Sequence, residues 1–142
     1  MLKFVKFILL TAWMVLIFTT SQIAFAPVSH VQAKTFYDYI FDKDVHLILY
    51  SVLSFLAASF FYHNQFKFKN IFFASIFTAF VYGIIDEYHQ TFVVDREASI
   101  FDLAFDCLGA LFGVGMYWLW SGVKNNFIQI KKYAQYLHRR SG

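Results

Sequence analysis

The stretch IFFASIFTAFVYGIIDEYHQTFVVDREASIFDLAFDCLGALFGVGMYWLW, residues 71–120, decides the fold. It holds two apolar runs, Ile71 to Tyr88 and Ser99 to Trp120, separated by a short polar break at residues 91–98. Both runs are apolar nearly all round, so length and low charge carry the reading, and amphipathic periodicity does not. A helix that spans a bilayer needs about 20 mostly apolar residues, and each run comes close to that length. The short break predicts that the two helices are antiparallel neighbours.

Two further runs precede this pair. Phe4 to about Ile23 is interrupted only by Lys6, and Val45 to Tyr62 is uninterrupted. The sequence therefore predicts an all-α, polytopic membrane protein. Its single domain, residues 1–142, has four transmembrane helices at about 4–23, 45–62, 71–88 and 99–120, followed by a basic cytoplasmic tail at 121–142. Composition agrees. Hydrophobic residues make up 59% of the 142 and charged residues 15%, against roughly 45–50% and about 25% in an average soluble domain. A soluble domain of this size has too much surface to bury such a surplus, whereas in lipid the surplus faces outward. Pro27 is the only proline, which suits long helices, and the lone Cys107 excludes an intramolecular disulfide.

The first run also has features of a secretory signal: Lys3 and Lys6 make a positive start, and Ala24-Phe25-Ala26 has the form of a cleavage site. Its apolar stretch exceeds the usual core of such signals, about 7–15 residues, so a retained helix is expected.

Lysine and arginine concentrate in cytoplasmic segments. With the N-terminus inside, the inner segments carry nine basic residues: Lys3, Lys6, Lys67, Lys69, Lys124, Lys131, Lys132, Arg139 and Arg140. The outer segments carry three, Lys34, Lys43 and Arg96. Both termini are thus expected in the cytoplasm, with the chain in a bacterial cytoplasmic membrane. The net charge of +3 invites a nucleic-acid reading, but the basic residues flank apolar runs and form no stripe, so no nucleic-acid partner is expected. Residues 24–44 read as an external loop, with the aromatic segment Phe36 to Phe41 at headgroup level.

Every acidic residue falls on the predicted outer side. On the third helix Gly83, Glu87 and Gln90 share a face; on the fourth, Ser99, Asp102, Asp106, Gly109 and Gly113 form one stripe. Gly109 and Gly113, four apart, permit close helix approach. Asp106 lies roughly 10 Å below the start of its helix. An ionised Asp at the centre of a membrane helix costs on the order of 2.5–3.5 kcal/mol, so these carboxylates need a polar cavity and partners. Lys43, His46, His89 and Arg96 are the basic groups available, and Tyr50 stands one turn after His46. No HExxH pair and no Cys/His spacing supports a metal site, so neither a metal nor a cofactor is expected. Ser99 lacks a nucleophile elbow around it.

With these residues in view, the chain resembles the VanZ-like family of bacterial membrane proteins. The similarity runs through Trp13, Ile17-Phe18 and Ser21-Gln22, then Lys43-x-x-His46-x-x-x-Tyr50. Its most specific part is Glu87-x-x-Gln90-x-Phe92, Arg96-x-x-Ser99-x-x-Asp102 and Gly109-x-x-x-Gly113. Asp95, where the family commonly has a Pro-Gly-like turn, and Asp106, where many members carry Asn, depart from the pattern. The resemblance implies a cell-envelope setting and a link to resistance against the lipoglycopeptide teicoplanin.

The leading expectation is an outer-leaflet polar cup that binds an amphiphile: an envelope lipid, a lipid-linked precursor or teicoplanin. In it Arg96 and Lys43 contact an anion, Glu87 and Asp102 orient Arg96 or accept ligand hydrogen bonds, and His46, Tyr50 and Gln90 form neutral walls beside Ser99 and Asp106. A second reading is a membrane hydrolase or transferase on a lipid-linked substrate, with Glu87 and Asp102 as general acid and base and His46 as the alternative base. A third is a structural or partner-docking subunit that uses the Gly109/Gly113 face, with Gly83 as a further packing position; a homo-oligomer is compatible with it. Four helices without an inverted repeat argue against transport.

Overall fold

The computed structural model describes residues 1–22, 36–93, 96 and 98–140; for Phe36, Asp38, Tyr39, Phe68 and residues 132–140 only the backbone is considered. Four helices make up the fold: α1 (Leu2–Ser21), α2 (Phe36–His63), α3 (Phe68–Gln90) and α4 (Ile100–Arg140). No strand occurs among the described residues. All four helices are long and apolar enough to cross a membrane. Ala24–Ala26 and Asp95, singled out in the sequence, lie outside the described residues.

Helix α2 is the hub. It packs against α1, α3 and α4, whereas α1 touches α3 only lightly and makes no packing contact with α4 among the described residues. The tightest seam joins α2 to α4. A side chain at Gly109 would run into the backbone carbonyl of Leu47, and one at Gly113 into the carbonyl of Ser51 and the hydroxyl of Ser54. With hydrogen in those places the two backbones close up, and the Ser54 hydroxyl donates to the Ala110 carbonyl at 2.8 Å. Small residues and interhelical hydrogen bonds are what hold helices together in lipid, where apolar burial contributes little. The glycine pair is therefore used within the chain and is buried under α2. The close helix approach expected at Gly109 and Gly113 is made with α2 of the same chain.

Helix α1 is tied in by two side-chain bonds: the Trp13 indole donates to the Leu49 carbonyl at 2.9 Å, and the Tyr82 hydroxyl donates to the Met14 carbonyl. Ile17 of α1 is almost fully enclosed, in a core with Tyr50, Leu53 and Ala57. The outside is the reverse of a soluble protein's. Phe7, Phe73, Phe77, Ile85, Phe101 and Phe112 all stand exposed, on a surface suited to acyl chains and too apolar for water.

Two boundaries differ from expectation. Helix α2 starts at Phe36, so residues 36–44, which the sequence assigns to an external loop, are helical. The charges at residues 42–44 end the apolar run at Val45, but Lys43 is neutralised inside the bundle and the helix continues through it. Helix α4 runs unbroken to Arg140, 41 residues in all. That is about 62 Å, twice the hydrocarbon thickness of about 30 Å, so the basic tail continues the last span.

Between α2 and α3 the chain turns in four residues. Gln65 has φ 65°, and the amides of Gln65 and Phe66 donate back to the carbonyls of Tyr62 and Phe61 at 3.1 and 3.3 Å. This is a Schellman C-cap, with glutamine in the left-handed position that glycine usually takes.

Candidate functional site

The N-terminal ends of α2 and α4 meet the C-terminal end of α3 at one end of the bundle. On α2, Lys43 and His46 are three residues apart on the side facing α4; on α4, Asp102 and Asp106 are four apart on the side facing α2. The spacings match, so the side chains pair in register. Lys43 forms a buried ion pair with Asp102, and His46 Nδ1 lies 2.9 Å from Asp106 Oδ1. A third pair sits at the rim, where Arg96 donates to Asp42 at 3.1 Å. The Tyr50 ring is parallel to that of His46, with centroids 6.3 Å apart.

Helix α3 supplies the rest. Glu87 Oε2 accepts the backbone N–H of Ser99 at 2.6 Å. It thereby caps the start of α4, where exposed N–H groups and the helix dipole favour a carboxylate. Gln90 donates to Asp86 at 3.2 Å. A Cβ at Gly83 would stand 2.9 Å from Asp106 Oδ2 and from Leu103 Cδ1, so the glycine makes room for that carboxylate against α3.

The site is enclosed and acidic. Lys43, His46, Asp86, Glu87, Gln90, Asp102 and Asp106 are all buried. A void of about 10 Å³ beneath Arg96, bordered by Ser21, His46 and Asp86, is the size of one water. Tyr50 Oη, Glu87 Oε1, Gln90 Oε1 and Asp106 Oδ2 are buried and have no hydrogen-bond partner among the described residues. Buried polar groups are nearly always paired, so this is hydrogen-bonding capacity that the described residues leave unused. One ligand atom each from His46, Glu87 and Asp106 lie within 4.8 Å of one another.

The sequence profile of the VanZ/LLP1 family matches residues 4–121, from α1 to the middle of α4. The chain belongs to the VanZ-like family. No curated protein and no solved structure matches it.

In this VanZ-like protein the candidate residues drawn from the sequence converge on the polar end, but their pairings differ from those expected. Lys43 and Arg96, assigned to anion contact, hold Asp102 and Asp42. Glu87, expected beside Asp102, shares its carboxylate's surroundings with His46 and Asp106. Ser99 engages through its backbone N–H. Two participants went unassigned. Asp42 stands four residues before His46 and Asp86 four before Gln90, so helical spacing could have found both. The grouping of His46, Glu87 and Asp106 comes from three separate helices, and no spacing within one segment reveals it.

Proposed function

We propose that this VanZ-like membrane protein engages the polar head of an amphiphile at the membrane surface through the buried cluster between α2, α3 and α4. The observation that carries the reading is the unused hydrogen-bonding capacity of Tyr50, Glu87, Gln90 and Asp106, at the end of a bundle whose exterior is clad in phenylalanine and aliphatic side chains. A headgroup meets the rim first. There the Arg96–Asp42 pair can exchange Asp42 for a phosphate, carboxylate or amide of the ligand, while the acyl chains lie along the exposed helices. The interior void is too small to take a headgroup whole, so interior groups act on whatever oxygen or amide reaches past Arg96. In the outward orientation that the basic residues favour, the ligand is an envelope lipid, a lipid-linked precursor or teicoplanin, and sequestering or shielding it would lower teicoplanin sensitivity.

The experiment is teicoplanin susceptibility of a sensitive Gram-positive host that expresses the chain, beside Glu87→Gln and Arg96→Ala at matched membrane levels. Protection by the wild type and its loss in both variants supports the reading. A well-expressed wild type that gives no protection removes the antibiotic from it; Arg96→Ala protein that still co-purifies with the same lipid removes the headgroup role.

A second reading, hydrolysis or group transfer on a lipid-linked substrate, is favoured by one feature. His46 and Asp106 form a hydrogen-bonded pair with the Glu87 carboxylate close by, an arrangement suited to general acid–base work. Product formation from envelope lipids, abolished by Glu87→Gln, distinguishes turnover from binding.

A further inference from the structure

We infer that His46, Glu87 and Asp106 form a binding site for a divalent first-row transition cation such as Zn²⁺. This inference rests on the reading above that the polar cluster is the working site. Three observations support it independently of ligand identity.

The first is geometric. One donor atom from each of the three residues lies within 4.8 Å of the other two. Tetrahedral bonds of about 2.1 Å place ligand atoms about 3.4 Å apart, so side-chain closure of at most about 1.4 Å completes the set. The second is the state of the donors. Glu87 Oε1 and Asp106 Oδ2 are buried and without a hydrogen-bond partner among the described residues, on side chains more than nine-tenths enclosed. His46 Nδ1 and Asp106 Oδ1 are already 2.9 Å apart, close enough for one cation to replace their hydrogen bond by shared ligation, and the Tyr50 ring lies parallel to the imidazole.

The third is charge. Among the described residues, five carboxylates gather inside this end, Asp42, Asp86, Glu87, Asp102 and Asp106, with Asp44 exposed outside them. Lys43 and Arg96 each have a carboxylate in Asp102 and Asp42. Among the described residues the carboxylates of this end outnumber the four basic groups there, Lys43, His46, His89 and Arg96. Buried charges persist when they are paired or bind a metal, and a divalent cation at His46, Glu87 and Asp106 neutralises the surplus. One imidazole with two carboxylates suits zinc, manganese or iron better than calcium, which takes six to eight oxygens, or magnesium, which keeps its waters. Three protein ligands also leave a coordination position for an oxygen, as sites that act on a ligand do; a headgroup phosphate or a water would fill it.

The test takes the full chain in detergent, strips it with a chelator and titrates it with Zn²⁺ alone, then with Co²⁺ as a spectroscopic substitute. One saturable ion per chain is expected, with Glu87→Gln and Asp106→Asn each weakening it at least tenfold and Asp44→Asn, at an exposed carboxylate on α2, leaving it within threefold. No saturable binding by the wild type, or affinity unchanged in Glu87→Gln, overturns the proposal. Should a variant fail to fold, the wild-type Co²⁺ spectrum decides: four- or five-coordinate nitrogen and oxygen ligation supports the site, and the spectrum of hexaaqua Co²⁺ refutes it. No lipid is added, so the two readings separate. Zn²⁺ binding by protein that retains no lipid keeps the metal site and removes headgroup binding; retained lipid on protein without Zn²⁺ affinity does the reverse.

Discussion

Removing one member of the Lys43–Asp102 pair strands the other as a buried, uncompensated charge, and breaking such pairs costs about 3–5 kcal/mol. Lys43→Met and Asp102→Leu are therefore each expected to destabilise the bundle by an amount in that range. The double variant Lys43→Met with Asp102→Leu removes both charges together, and for it the loss shrinks to about 1 kcal/mol or less, because the desolvation cost of the pair disappears with its attraction. Unfolding in mixed micelles of increasing denaturing detergent measures all three; additive losses would mean the two side chains do not act as a pair. The pairing itself was only half legible in the sequence. The stripe Ser99, Asp102, Asp106 follows from helical spacing alone, and so does the neighbourhood of Lys43 and His46. Which cation meets which carboxylate depends on the sliding register of α2 against α4. That register is set by the contact of Gly109 and Gly113 with the carbonyls of Leu47 and Ser51, a fact about two helices at once.

Among the elements, the α2–α4 seam tolerates least. At Gly113 even one methyl group meets the Ser51 carbonyl and the Ser54 hydroxyl. Gly113→Ala should force the helices apart, undo the Ser54–Ala110 hydrogen bond and cost at least about 2–3 kcal/mol, in the range of overpacked cores. Gly115, two residues on, has open space where a Cβ would stand, so Gly115→Ala should be neutral or slightly stabilising given alanine's helix preference. Thermal melts of the two variants in the same detergent compare them directly, and equal melting points would remove the seam from the account. The α2–α3 turn offers the opposite test. Gln65 holds a left-handed conformation that costs a side-chain residue roughly 1 kcal/mol, so Gln65→Gly should raise stability by about 0.5–1 kcal/mol, read as a higher melting temperature. Number and rough position of the helices were legible because span length and low charge need no tertiary knowledge. The start of α2 was not. A hydropathy reading stops at Asp42-Lys43-Asp44, and only the partners on α4 and in the turn before it show why helix continues through charge.

At the scale of the whole molecule, orientation decides which side of the membrane the polar cluster serves. The fold puts the turn at Asn64–Lys67 at one end of the bundle and the cluster with the turn after Gln90 at the other. In the sequence, nine lysines and arginines fall in the segments expected inside and three in those expected outside, an asymmetry that favours the first end in the cytoplasm. With Cys107 replaced by serine, single cysteines report the outcome. Phe92→Cys sits exposed in the turn after α3, and Gln65→Cys sits exposed in the α2–α3 turn. A membrane-impermeant maleimide is expected to label Phe92→Cys on intact cells and Gln65→Cys only after permeabilisation. The tail gives the same prediction a second reading, since α4 outruns the bilayer and carries Lys124, Lys131 and Lys132 with it, which anionic lipids of the inner leaflet would hold. The reverse labelling pattern would turn His46, Glu87 and Asp106 toward the cytoplasm. Teicoplanin, which acts from outside, would then be out of reach of the cluster, while a metal site and a cytoplasmic-leaflet headgroup would both remain open to test, so labelling should precede any search for the ligand.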